Sequence, residues 1–177
     1  MYRVFGKRLL DIMISFLLII VLSPVFLFTS IIVYLELGFP IIFKQLREGK
    51  NKHSFVMYKF RTMDFRENKK REERMTKKTS FLDKYKFNEL PQLFNVLKGD
   101  MSLIGPRPFI PEEPLPKKPF KERYLVKPGM TGLAQVKGGR TISHNKKLYY
   151  DKIYYEKLSF LLDLKIFLLT PLKIIKK

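Results

Sequence analysis

The sequence predicts a mainly helical, α/β-mixed fold: a re-entrant membrane helix broken at Ser23-Pro24, amphipathic interfacial helices, one small β-hairpin and proline-rich irregular segments. Three observations carry this prediction. Ile12 to Leu37 is almost wholly apolar, with Ser23-Pro24 at its middle. Two short β-branched and aromatic runs, IIFKQ and Phe55 to Tyr58, flank the turn-forming Glu48-Gly49-Lys50-Asn51. Leu90, Leu93, Phe94 and Leu97 then recur at helical spacing before Gly99.

The apolar run comes first in the chain. About 20 apolar residues span a bilayer as a helix, and this run is longer. It is too long for a signal peptide and is followed by no small-residue cleavage site. Proline removes a backbone hydrogen bond and kinks a helix, and a neighbouring serine hydroxyl can satisfy the freed carbonyl. Arg3, Lys7 and Arg8 precede the run; Lys44, Arg47, Lys50 and Lys52 follow it. Positive charge at both ends conflicts with a single crossing, because cationic flanks stay on the cytoplasmic side. A helix that enters, bends at Ser23-Pro24 and leaves by the same face resolves the conflict; a kinked spanning helix is the alternative. The chain therefore divides into a membrane element, residues 1–40, and a membrane-associated cytoplasmic domain, residues 41–177.

Composition narrows the partners. With 46% hydrophobic and 29% charged residues the chain folds rather than staying disordered. The formal net charge of +19 calls for a polyanionic neighbour. Anionic headgroups attract Lys and Arg by about 1 kcal/mol each near the surface, so the anionic lipids of a membrane face answer that need, as does a phosphorylated substrate. No recognisable nucleic-acid motif is present, and no nucleic-acid partner is expected. The absence of cysteine removes disulfides, thiolate catalysis and Cys-based metal sites, and two histidines are too few for a His cluster.

Beyond the hairpin, residues 66–78 form a charged run that reads as an exposed helix or loop. The helix that follows opens at Asn88 as N-cap with Glu89 in its first turn, both suited to the positive end of a helix. Pro106, Pro108, Pro111, Pro114, Pro116 and Pro119 make the next stretch irregular. Pro128-Gly129 and Gly138-Gly139 mark turns, and Tyr149 to Ile175 has the pattern of an amphipathic helix.

The segment NELPQLFNVLKGDMSLIGPRP, Asn88 to Pro108, strongly resembles the bacterial sugar transferase family, the monotopic polyprenyl-phosphate phosphoglycosyl transferases. Other blocks follow the same order: KRLLD (Lys7 to Asp11), the Ser-Pro break, KFRTM (Lys59 to Met63), KPGMTGLAQVKGGR (Lys127 to Arg140) and YYDKIYYEKLSFLLDLKIFLLT (Tyr149 to Thr170). Together they cover nearly the whole chain. The resemblance implies transfer of a sugar-1-phosphate from a UDP-sugar to polyprenyl phosphate with release of UMP, the first membrane step of polysaccharide or glycoconjugate assembly. It also implies a site at the cytoplasmic face of the bacterial inner membrane, and downstream glycosyltransferases as partners.

Phosphoryl transfer needs an in-line nucleophile, cations around the phosphoryl oxygens and usually Mg2+, which takes one or two carboxylates plus substrate phosphates. In the family an Asp-Glu pair opens the ELPQL helix; the Asp attacks to form a covalent intermediate and the Glu helps to hold Mg2+. Here the pair is Asn88-Glu89, so Glu89 keeps the metal role while the nucleophile position carries an amide. Upstream, where the family commonly has Leu-Arg, the chain has Leu82-Asp83 followed by Lys84. Four accounts fit: another acid such as Glu89 or Asp83 attacks; polyprenyl phosphate attacks directly; the chain is a catalytically impaired homologue that binds lipid phosphate or acts as a scaffold; or the amide is an introduced near-isosteric change. Arg107, between two prolines that fix its backbone, matches the family's phosphate-binding Pro-Arg-Pro. Lys59, Arg61 and Arg140 match further phosphate- or substrate-binding positions. Asp100 and Asp151 match frequent family acids, whereas Gly105, Gly129 and Gly132 serve backbone geometry.

Overall fold

A computed structural model describes residues 2–65, 70, 72–111 and 121–175. Residues 66–69 and 71 of the charged run 66–78, and Pro114, Pro116 and Pro119, lie outside the described residues. The apolar run forms two helices, α1 (Lys7–Val21) and α2 (Ser23–Leu37). They bend by 63° at Leu22, and Pro24 sits in the first turn of α2, where its missing N–H is no loss. Among the described residues no single helix is long and apolar enough to cross a membrane; only the bent pair passes that test together.

The predicted hairpin is present. Strand β1 (Ile42–Glu48) pairs antiparallel with β2 (Ser54–Phe60), from Ile42 opposite Phe60 to Glu48 opposite Ser54. Asn51 takes a left-handed conformation in the turn. Helix α3 (Lys77–Lys84) follows, N-capped by Thr76, and α4 (Gln92–Lys98) ends at a left-handed Gly99. The opening of α4 differs from the sequence reading. Asn88 lies in a short 3₁₀ turn, Phe87–Glu89, and its amide hydrogen-bonds to Asp83 instead of capping a helix; α4 starts only after Pro91. The N-cap place of that turn is taken by Lys86 in a left-handed conformation (φ 67°), so Asn88 lies inside the turn, and Leu90 and Pro91 carry the chain on into α4 with helical angles.

A second, two-stranded parallel sheet, β3 (Ser102–Ile104) with β4 (Gly129–Thr131), was not legible in the sequence. Its glycines are required by close backbone approach. A Cβ on Gly129 would lie 2.0 Å from the Gly105 nitrogen, and one on Gly132 would lie 2.1 Å from the Gly105 carbonyl oxygen. The C-terminal region forms α5 (Leu133–Lys137), α6 (His144–Lys157) and α7 (Phe160–Ile175). The single amphipathic helix expected over Tyr149 to Ile175 is thus two helices, broken at Leu158-Ser159.

Polar side chains buried in the core join these elements. Arg8 donates to the carbonyls of Val96 (2.5 Å) and Leu97 (2.7 Å), closing the C-terminus of α4 with a cation. Asp11 accepts from the Ser102 hydroxyl (3.0 Å) and the Leu103 N–H (2.9 Å), tying α1 to β3. Asp163 gathers Lys7 (2.7 Å), the Tyr2 hydroxyl (2.6 Å) and the Tyr154 hydroxyl (2.8 Å). Fully buried Asn95 accepts from Tyr58 N–H (3.0 Å) and donates to the Val56 carbonyl (2.7 Å), extending the edge of β2 into α4. The main apolar core, built on Met57, Leu93, Val96, Met101, Ile104 and Ile166, lies between these anchors.

Candidate active site

The hairpin fixes the first cations of the site. On one face of β1 and β2 the register places Phe43, Gln45 and Arg47 beside Phe55, Met57 and Lys59. Two positively charged side chains therefore leave the same face of a buried hairpin. Arg47 is held by the Pro108 carbonyl (3.3 Å) and by Gln45 Oε1 (2.5 Å). The 3₁₀ turn then delivers Glu89 to Lys59. Glu89 Oε1 lies 3.8 Å from Lys59 Nζ, 3.9 Å from Lys86 Nζ and 3.9 Å from an Arg107 guanidinium nitrogen. Lys86 reaches this position from a left-handed backbone (φ 67°) directly before the turn. Glu89 and Lys59 are nearly closed to solvent, whereas about half of the Arg107 side chain remains exposed (47%).

Charge and burial set the protonation states. Burial pushes the Glu89 carboxyl up, but Lys59, Arg107 and Lys86 together hold it below its ordinary range, so it is ionised at neutral pH. Burial pushes the Lys59 ammonium down to about 8; Glu89 opposes the shift, and Arg107, Arg47 and Lys86 add to it. Three cations around the Glu89 carboxylate leave a net positive cluster that suits a substrate with several phosphate charges.

Asn88 is buried at the back of this cluster. Its Nδ2 donates to Asp83 Oδ1 at 3.1 Å, and its Oδ1 has no hydrogen-bond partner among the described residues. Lys86 Nζ lies 3.8 Å from Asp83 Oδ1, so Asp83 and Glu89 share one ammonium.

The remaining predicted residues go elsewhere. Arg61 is buried and donates to the carbonyls of Leu37 and Gly38, with its guanidinium 4.8 Å from the Phe65 ring. It closes the C-terminus of α2 and does not join the cluster. Burial lowers its pKa, opposed by Asp64. Asp100 accepts from Asn95 (3.3 Å) at the end of α4, and Asp151 faces Arg123 (3.4 Å). Arg140 lies in the turn Gly139–Thr141, and its side chain is outside the described part. Sequence reasoning missed Lys86 and Arg47. Period-two alternation back from Lys59 across the hairpin would have found Arg47; nothing local marks Lys86.

A cavity of about 590 Å3 opens beside Glu89 and Arg107. Leu18 and Leu22 at the bend between α1 and α2, together with Phe167, Pro171 and Ile174 of α7, make much of its wall apolar. One cavity thus joins a cationic end to an apolar end at the helix break.

Comparison with known proteins matches this architecture. The family model for bacterial sugar transferases matches residues 2–177. The chain is 45% identical over 175 residues to the uncharacterized sugar transferase EpsL of Bacillus subtilis, covering 96% of this chain and 87% of that protein. It is 38% identical to a UDP-glucose:undecaprenyl-phosphate glucose-1-phosphate transferase of Klebsiella pneumoniae, over 94% of this chain but 39% of that protein. It is 34% identical to the exopolysaccharide production protein PSS of Rhizobium leguminosarum, with 90% of each chain covered. The match extends over the bent helix pair, the Glu89 cluster and the C-terminal helices alike, and the chain belongs to the bacterial sugar transferase family.

Proposed function

We propose that the chain transfers a sugar-1-phosphate from a UDP-sugar to undecaprenyl or another polyprenyl phosphate, releasing UMP, at the cytoplasmic face of the bacterial inner membrane. The observation that carries this reading is the cavity, which joins the Glu89–Lys59–Lys86–Arg107 cluster to an apolar wall at the helix bend. A diphosphate needs the cations and a polyprenyl chain needs the apolar wall. The names of the relatives support the acceptor, since several are undecaprenyl-phosphate glucose or galactose phosphotransferases.

Large apolar side chains stand exposed along α1 (Leu9, Met13, Phe16), α2 (Leu27, Phe28) and α7 (Leu161, Leu168). Contiguous exposed apolar surface of this kind suits insertion into one leaflet. The bent pair then enters and leaves by the cytoplasmic face, which keeps residues 1–40 in the lipid and residues 41–177 on it. Anionic lipids attract the surrounding lysines, and an enzyme that hands a lipid-linked product onward has downstream glycosyltransferases as natural partners.

Within the site, Lys59, Lys86 and Arg107 hold the phosphoryl oxygens, and Arg140 follows in the turn after α5. An oxygen of polyprenyl phosphate attacks the sugar-linked phosphorus while the bond to the UMP oxygen breaks; no side-chain nucleophile is needed. Among the described residues no group of three or more His, Asp or Glu could hold a metal alone. The donors do fit a Mg2+ ion carried in by the diphosphate, with the Glu89 carboxylate and the orphaned Oδ1 of Asn88 as protein ligands. Bound there, Mg2+ would neutralise charge on the diphosphate.

Asn88 favours a second reading, a catalytically impaired homologue that binds lipid phosphate. UMP release decides between them. Protein in nanodiscs receives Mg2+, undecaprenyl phosphate and a panel of UDP-sugars. Turnover that Glu89→Gln abolishes supports the transferase. No UMP from any donor, with folded protein, leaves the binding role.

A further inference from the structure

The cavity beside Glu89 has two further polar lining residues that the phosphate and lipid ends do not use. Gln135 on α5 and His144 at the start of α6 both line it. Gln135 Nε2, Gln135 Oε1 and His144 Nε2 are buried and have no hydrogen-bond partner among the described residues. Buried polar atoms are nearly always paired, because an unmade hydrogen bond leaves the group desolvated without return. Three such atoms on two residues that line one cavity point to a ligand that supplies the partners.

The flat groups around His144 indicate the ligand. The His144 ring lies on Phe109, with centroids 5.0 Å apart and planes at 31°. Phe109 in turn carries the Arg123 guanidinium 3.4 Å from its ring centroid. His144, Phe109 and Arg123 therefore form a pile of flat groups, and Gln135 adds a flat carboxamide to the wall of the same cavity. A carboxamide presents one N–H donor and one carbonyl acceptor in a plane, and an imidazole nitrogen adds a third polar point. The imide edge of uracil, an N–H flanked by carbonyls, complements that pattern. A polyprenyl chain has no such atoms. A cavity of about 590 Å3 falls in the range that holds a small ligand.

We propose that Gln135, assisted by His144, binds the pyrimidine base of the nucleotide donor; this rests on the reading of the chain as a UDP-sugar transferase. The diphosphate lies on Lys59, Lys86 and Arg107, and the base reaches Gln135 in the same cavity. Gln135 is a binding residue that sets nucleotide affinity and takes no part in bond breaking.

Isothermal titration of the full chain in nanodiscs tests this with UMP and ribose 5-phosphate, which differ only in the base. The wild type is expected to bind UMP about tenfold more tightly than ribose 5-phosphate, the scale of one or two hydrogen bonds. Gln135→Leu should remove most of that preference and leave ribose 5-phosphate binding unchanged. Its Tm should be no lower than that of the wild type, because the carboxamide has no partner to lose. His144→Phe, which keeps the ring pile, should weaken UMP alone. If Gln135→Leu fails to fold, Gln135→Glu serves instead: a carboxylate facing uracil carbonyls should weaken UMP selectively.

Equal loss of both ligands would make Gln135 structural and overturn the proposal. So would unchanged UMP binding, or a wild type with no preference for the base. Loss of affinity for UDP-glucose but not for UMP would also overturn it, placing Gln135 against the sugar. UMP release from a UDP-sugar by a wild type indifferent to the base would sink this subsite alone and leave the transferase reading intact. A base preference without UMP release would uphold the subsite and sink turnover.

Discussion

Replacing Glu89 by Gln should lower the pKa of Lys59, and the size of the effect can be worked from the geometry. Glu89 is the counter-charge that opposes burial and the neighbouring cations at Lys59, whose pKa already stands at about 8. The pair is separated by 3.8 Å. At an effective dielectric of about 20, Coulomb's law gives about 4 kcal/mol for that separation, or about three pKa units. Relaxation and water entry reduce this, so a fall of at least about one unit is expected. The assay need not depend on turnover. Competitive acylation of lysines over a pH series, read by mass spectrometry, reports the pKa of Lys59 in both proteins. Lys59 should become reactive near pH 8 in the wild type and below pH 7 in Glu89→Gln. A wild-type pKa near the ordinary lysine value, or one that the substitution does not move, would refute the charge balance described for this site.

Lys59→Met should trade function for stability. Because the folded-state pKa is about 8 against 10.5 for an ordinary lysine, holding Lys59 charged costs about 3 kcal/mol at pH below 8. Between about pH 8 and 10.5 the unfolded chain binds the extra proton, so this cost disappears as pH rises. The variant should therefore melt above the wild type at pH 7, the difference should shrink towards pH 10, and UMP release should be lost. Asn95→Leu should destabilise by about 2–4 kcal/mol in denaturant titration, because it strands Tyr58 N–H and the Val56 carbonyl in a fully buried position.

What the sequence revealed follows a physical rule. Features written in local periodicity or in turn chemistry were legible: the apolar run with its Ser-Pro break, the hairpin around Gly49, and the end of α4 at Gly99. Lys59, Glu89 and Arg107 were found through the family pattern, and the structure brings them together around one carboxylate. Features fixed by long-range contact were not legible. Arg61 sits in the same block as Lys59, but two residues along a strand and its exit turn point to different neighbours, and Arg61 ends on α2. Asn95 carries no local signal, since its partners lie on a strand far back in the chain. The N-cap expected at Asn88 failed because the turn opens two residues earlier, at a left-handed Lys86, which no local signal marks.

The two departures from the family pattern, Asp83 and Asn88, are one feature. They share one hydrogen bond: the Asn88 amide donates and the Asp83 carboxylate accepts, at 3.1 Å. Restoring only the second position with Asn88→Asp would set two carboxylates at that separation. Their repulsion is about 5 kcal/mol at an effective dielectric of about 20, and such pairs avoid it by keeping one proton between them, which raises one pKa. The single variant should therefore melt below the wild type, with the deficit growing as pH rises and the shared proton is lost, and its new carboxyl should be blunted as a nucleophile. Asp83→Arg together with Asn88→Asp removes the repulsion and sets a cation beside the new carboxylate. UMP release by the double variant should exceed that of Asn88→Asp at neutral pH, and its Tm should recover. Equal stability and equal turnover in the single and double variants would show that Asp83 and Asn88 are not coupled, and that the amide at position 88 stands independently of its neighbour.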